Sequence, residues 1–161
     1  MADQPTLKEL MEADAKGEVS DEDFDTWLWL ILCERIASVQ DLAKWPEPVQ
    51  TYFASRNLQW EVGNGGFAQA AMNIPEWFQE AAKGYERLGK PRCAALIQDA
   101  MRILESERSR LTAAGATLEK AFEYFDDSPF DSIDDRLDEV GWWSDKDRID
   151  YVRNHRAAFD A

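Results

Sequence analysis

The sequence predicts an all-α fold, a single compact domain over residues 1–161 in which residues 1–20 form a peripheral N-terminal helix. Three observations predict it. Nowhere does an alternating run of β-branched and aromatic residues sit between turn signals, as a strand requires. Apolar residues recur instead at helical spacing, most cleanly in Ala94, Ile97, Met101 and Leu104. Helix starts and stops (Ser, Thr, Asp and Pro before the periodic runs, Gly after them) divide the chain into about seven to nine helices. The 161 residues, 45% hydrophobic with seven Trp, suffice for a real core.

Thr6 caps a first helix that reaches Ala15, with Glu9 at the capping-box position and Leu7, Leu10 and Met11 on one face; Gly17 stops it. Asp21, Glu22, Asp23 and Asp25 open the next helix, where the macrodipole favours negative charge. Its apolar residues, from Phe24 through Ile36 and Val39, lie nearly all round, which predicts a helix crossing the core. Trp45-Pro46-Glu47-Pro48 starts a helix that runs to Val62. After Asn73-Ile74-Pro75 a helix follows to Leu88, with Trp77, Phe78, Ala81 and Tyr85 inward. Gly89-Lys90-Pro91 ends it and starts the longest helix, to about Ala114. Gly115 interrupts, and Thr117–Phe125 continues as a helix.

The stretch that organises the rest is Leu58–Asn73. Gly63-Asn64-Gly65-Gly66 lies between two helical segments, and each Gly in a helix interior costs about 1 kcal/mol against Ala. One helix therefore ends near Val62, with Gly63 or Asn64 as its left-handed cap, and a second starts near Gly66 with Phe67 as its first buried anchor. Glu61, Asn64, Gln69 and Asn73 surround the break. They have two readings: a ligand pocket, or partners for the free backbone groups of two helix ends.

Glu61, Asn64-Gly65-Gly66-Phe67, Gln69 and Asn73 resemble the signature of a bacterial family long known only as a domain of unknown function, whose best-known member is a DNA-mimic protein. Tyr151–Phe159 resembles the family's closing helix. Ala70-Ala71 depart from the pattern, which has a larger aromatic pair there, and no Gly follows Asn73. The resemblance covers most of the chain after Asp21. It implies a fold-holding role for Glu61, Asn64, Gly65, Gly66, Phe67, Gln69 and Asn73. It also implies a function: a non-enzymatic acidic protein on the DNA-binding surface of a basic partner, such as a transcription factor.

Charge permits that function. The net charge of −14 opposes direct binding to nucleic acid or to an anionic membrane, and suits a basic partner, a cation or plain solubility. The carboxylates concentrate after Phe125. Asp126, Asp127, Asp131, Asp134, Asp135, Asp138 and Glu139 form the candidate partner-binding face, while Phe130, Ile133, Leu137 and Val140 keep a helical apolar spacing beneath it. Residues i and i+4 stand about 6 Å apart along a helix, the order of the separation between neighbouring phosphates. Trp142-Trp143 follow, with two readings: at least one lies at the surface as part of an interface, or they tuck back under the last helix. An alternative is an interaction module of immunity or scaffold type using those indoles; a homodimer is compatible with either.

Catalysis finds little to build on. The single His155 sits at a helix end, and no nucleophile elbow or P-loop occurs. The carboxylate runs lack the spacing of a calcium loop, and Cys33 and Cys93 lack zinc-ligand neighbours. No cofactor and no metal are expected. Both cysteines read as buried free thiols. The absence of a signal-peptide pattern and of a run long enough to span a bilayer predicts a cytoplasmic protein.

Overall fold

The computed structural model describes residues 4–113, 115 and 128–160. The fold is all-α, and no strand occurs among the described residues. The elements are α1 (Leu7–Lys16), α2 (Asp21–Cys33), α3 (Val39–Leu42), α4 (Glu47–Asn73), a 3-10 turn (Pro75–Trp77), α5 (Phe78–Arg87), α6 (Pro91–Ala113), α7 (Asp131–Asp134), α8 (Lys146–Asn154) and a second 3-10 turn (Arg156–Phe159). The expected helix over Thr117–Phe125 lies outside the described residues, as do Asp126 and Asp127.

The chain divides into two units, Met1–Phe53 with Ser144–Ala161, and Ala54–Trp143. In the first, α1 packs on α2, α2 on α8, and the closing 3-10 turn on α1. The capping box forms as the sequence predicts: Thr6 N–H donates to Glu9 Oε2 at 2.8 Å, and Glu9 N–H to Thr6 Oγ1 at 3.3 Å. Gly17, at φ +70°, closes α1; its N–H bonds to Asp14 O and that of Glu18 to Ala13 O, the paired pattern of a Schellman cap. Phe24, Leu28, Tyr52 and Phe159 are buried, the rings of Tyr52 and Phe159 meeting edge to face at 6.2 Å.

Two expectations about α2 fail. It is not apolar all round in its setting: Leu30 is exposed, Trp27 and Trp29 are half-buried, and the helix ends at Cys33, short of Ile36 and Val39. That ending leaves Cys33 exposed, whereas Cys93 is buried as expected. Asp25 differs from its acidic neighbours Asp21, Glu22 and Asp23, which are exposed. It lies on the stripe with Phe24, Leu28 and Ile31, is buried, and accepts from Tyr52 Oη at 3.0 Å with Arg148 Nε 3.8 Å away.

A second carboxylate is buried in this unit. Asp14 continues the apolar stripe of α1 and takes Arg153 Nη2 at 2.7 Å and Arg156 Nη2 at 2.6 Å. Burial alone would push its carboxyl up; the hydrogen bonds and charges of the two guanidiniums overcome that and hold it below its ordinary value. Arg153 also reaches Asp21 at 2.7 Å, and its guanidinium titrates higher still than an ordinary arginine. Sequence reasoning missed this group. The readable signal was a carboxylate at the fourth position of the Leu7, Leu10, Met11 stripe.

The second unit is centred on α5 packed against α6. Phe67, Phe78, Tyr85, Ile97 and Trp142 are buried there. Gly89, at φ +72°, repeats the cap of Gly17, and Pro91 begins α6 directly after it. Ala94, Ile97 and Leu104 face inward as predicted, with Met101 half-buried. No helix among the described residues is long and apolar enough to cross a membrane.

Candidate functional site: the helix break and the acidic segment

Helix α4 breaks at Gly65 (φ −168°, ψ 31°) and Gly66 (φ 70°, ψ −173°). The left-handed residue is Gly66, so the expected cap at Gly63 or Asn64 is corrected by two or three positions, and the first segment keeps helical geometry through Asn64. The reason lies outside the helix. A Cβ on Gly66 would stand 2.4 Å from Asp134 Oδ2, so the missing side chain makes room for a carboxylate. Asp134 Oδ1 accepts the Phe67 N–H at 2.9 Å. It satisfies a free donor at the start of the second helical segment, the role an N-cap side chain plays locally. Phe67 is then fully buried, as the sequence predicts.

The other polar residues of the break close on one another. Glu61 Oε2 accepts from Gln69 Nε2 at 3.2 Å and from Asn73 Nδ2 at 3.0 Å, tying the segment before the break to two turns of the segment after it. A Cβ on Gly65 would lie 2.3 Å from Gln69 Oε1. Gly65 therefore leaves space for the Gln69 amide. Asn64 is exposed. The carboxylate and amides that a pocket would need are bonded to one another. A cavity of about 440 Å³ is lined instead by Lys8, Met11, Glu12, Ala15, Arg156 and Asp160.

The described part of the acidic segment, 128–143, is held by its apolar residues and at its C-terminal end. Phe130, Ile133 and Leu137 are buried at the predicted spacing, though regular helix stops at Asp134 and the chain continues to Trp143 in turns. Gly141, at φ +68°, ends it: its N–H bonds to Asp138 O and that of Trp142 to Leu137 O, both at 3.2 Å. Three side chains then donate to successive carbonyls there. Cys93 Sγ reaches Val140 O at 3.3 Å, Lys90 Nζ reaches Gly141 O at 3.2 Å, and Gln59 Nε2 reaches Trp142 O at 3.2 Å. Trp142 is buried, stacked on Tyr85 at 4.8 Å and beside Phe67 at 5.4 Å.

That anchoring sorts the carboxylates. Asp134 turns inward; burial raises its carboxyl above the ordinary value, the Phe67 N–H pulls the other way, and the charges of Asp131 and Asp135 push it further up. Asp131, Asp135, Asp138 and Glu139 are exposed. Arg136, the basic residue among them, pairs with Asp99 at 3.2 Å. Of the two tryptophans, Trp142 is buried and Trp143 is 44% exposed, its Nε1–H donating to Asp138 Oδ1 at 3.1 Å. His155 lies exposed at the end of α8, with Nδ1 2.8 Å from Tyr151 O. Among the described residues no cluster of three or more His, Cys, Asp or Glu is placed to hold a metal ion.

A family model described as DMP19-like protein matches residues 43–155. The chain belongs to the DMP19-like family. The match takes in the whole of the α4 break and the acidic segment with its anchors, and leaves α1 and α2 outside. Neither the curated proteins nor the solved structures contain a match to the chain.

Proposed function

We propose that this DMP19-like protein is a non-enzymatic DNA mimic of the cytoplasm, which occupies the DNA-binding surface of a basic partner such as a transcription factor. Membership of the family carries the reading. The anchoring of the acidic segment supports it, because a mimic must present carboxylates at fixed positions, as DNA presents phosphates. Asp131, Asp135, Asp138 and Glu139 supply the charge, and Asp134 with Gly65, Gly66 and Phe67 holds the segment in place. Asp126 and Asp127 precede these residues in the sequence and belong to the same proposed charge set.

The test is capture of partners from native lysate at low salt, followed by elution with a salt gradient. Contacts of this kind weaken as salt screens them. The expected result is a DNA-binding protein that elutes at raised salt and is lost when Asp131, Asp135 and Asp138 are changed to Asn and Glu139 to Gln. Capture of a partner without nucleic-acid affinity, insensitive to those changes, would replace this reading with the interaction module.

A further inference from the structure

Among the described residues, Trp143 and Trp60 are the two large aromatic side chains that stand exposed, each at 44%. Both border Gly63. Trp60 lies one helical turn before it on α4, and a Cβ on Gly63 would meet Trp143 Cζ3 at 3.7 Å. Trp143 is also fixed: its backbone follows the buried Trp142, and its indole N–H is held by the Asp138 carboxylate. An exposed indole that is already ordered loses little freedom on binding. It presents a π face with a carboxylate at its edge, inside a segment whose other outward side chains include Asp131, Asp135 and Glu139. Among the described residues no cation covers the Trp143 ring.

We infer that Trp143 is the anchor of the partner-binding face and receives the guanidinium of an arginine on the basic partner, with Asp138 and the segment's exposed carboxylates as its counter-charges. The inference rests on the proposed function and names the residue chemistry that this face selects. An arginine matches both halves of the site: its planar guanidinium stacks on an indole while its in-plane N–H groups pair with a carboxylate, whereas a lysine ammonium is a point charge with no planar face to stack. The molecule already carries the aromatic half of this contact, with Arg56 Cζ 5.9 Å from the centre of the Trp60 ring. A purely apolar partner would desolvate Asp138 without compensation, and an anionic surface would be repelled by the net charge of −14.

The experiment is calorimetric titration of the full chain at low salt with oligo-arginine and oligo-lysine peptides of equal length, for wild type, Trp143→Phe and Trp143→Leu, with sedimentation of each protein alongside. Wild type is expected to favour oligo-arginine by about two- to fivefold for each stacked guanidinium. Trp143→Phe keeps a reduced preference, which also shows that the face survives substitution. Trp143→Leu loses the preference and binds oligo-lysine as wild type does. An arginine preference unchanged in Trp143→Leu overturns the inference and leaves the acidic-face reading standing. Binding of neither peptide overturns both. A dimer that Trp143→Leu converts to monomer, with the peptide preference unchanged, assigns the face to a second copy and overturns the inference.

Discussion

Replacing Gly66 with Ala tests whether the break and the acidic segment form one unit of structure. Gly66 sits at φ 70° and ψ −173°, a conformation nearly restricted to glycine; an alanine held there costs about 1–3 kcal/mol. Its Cβ would stand 2.4 Å from Oδ2, 3.0 Å from Cγ and 3.1 Å from Oδ1 of Asp134, so the whole carboxylate must move. That forfeits the 2.9 Å bond to Phe67 N–H, worth about 1–3 kcal/mol where the donor is left unsatisfied. Gly66→Ala should therefore cost about 4 kcal/mol, the sum of the two midpoints. Asp134→Ala alone should cost about 2 kcal/mol. In the double variant the carboxylate is already gone and only the backbone part remains. The total should fall short of the sum of the singles by about 2 kcal/mol. Urea unfolding of the four proteins, followed by circular dichroism, measures this coupling. Additivity within about 0.5 kcal/mol would show that Gly66 does not make room for Asp134, and the reasoning would fail.

Asp134→Asn keeps an oxygen for the Phe67 N–H and removes the charge. Because the folded state raises the carboxyl above 3.8, the ionised form costs stability at neutral pH, and that cost fades as pH falls through the folded value toward 3.8. The Asn variant should be the more stable protein at neutral pH, with the difference closing in acid; thermal melts across pH read it. Asp14 has the opposite sign: its lowered carboxyl stabilises the fold above 3.8 and stops doing so as pH falls through its folded value. Asp14→Ala should cost about 3 kcal/mol at neutral pH, by removing the buried carboxylate that Arg153 and Arg156 share while Arg153 keeps only Asp21, and less in acid, as urea unfolding at each pH would show. A disulfide thiol reagent should label Cys33 in the native protein and Cys93 only after denaturation.

The local rules were legible in the sequence wherever the determinants lay close together. Thr6 with Glu9, Gly17 after α1, and Gly89 before Pro91 each behaved as capping chemistry dictates, and the helical spacing of Phe130, Ile133 and Leu137 placed all three inside. The break in α4 was legible as a break, and its exact position was not. Gly63, Gly65 and Gly66 are equivalent candidates until Asp134, distant in sequence, selects Gly66. The same contact separates Asp134 from Asp135, which are chemically identical neighbours in the sequence but half-buried and exposed in the fold. Asp14 and Asp25 lay in plain view on apolar stripes. Their partners, Arg153 and Arg156 for one and Tyr52 and Arg148 for the other, come from distant parts of the chain.

DNA mimicry makes one demand that other binding modes do not: the protein and a DNA duplex must exclude each other from the partner. The most direct measurement is displacement of a labelled duplex from the captured partner by increasing amounts of this chain, followed by fluorescence anisotropy at several salt concentrations. The account predicts full, competitive displacement that weakens as salt rises, and its loss in the variant with Asn at 131, 135 and 138 and Gln at 139. A complex in which partner, duplex and this chain remain bound together would contradict it.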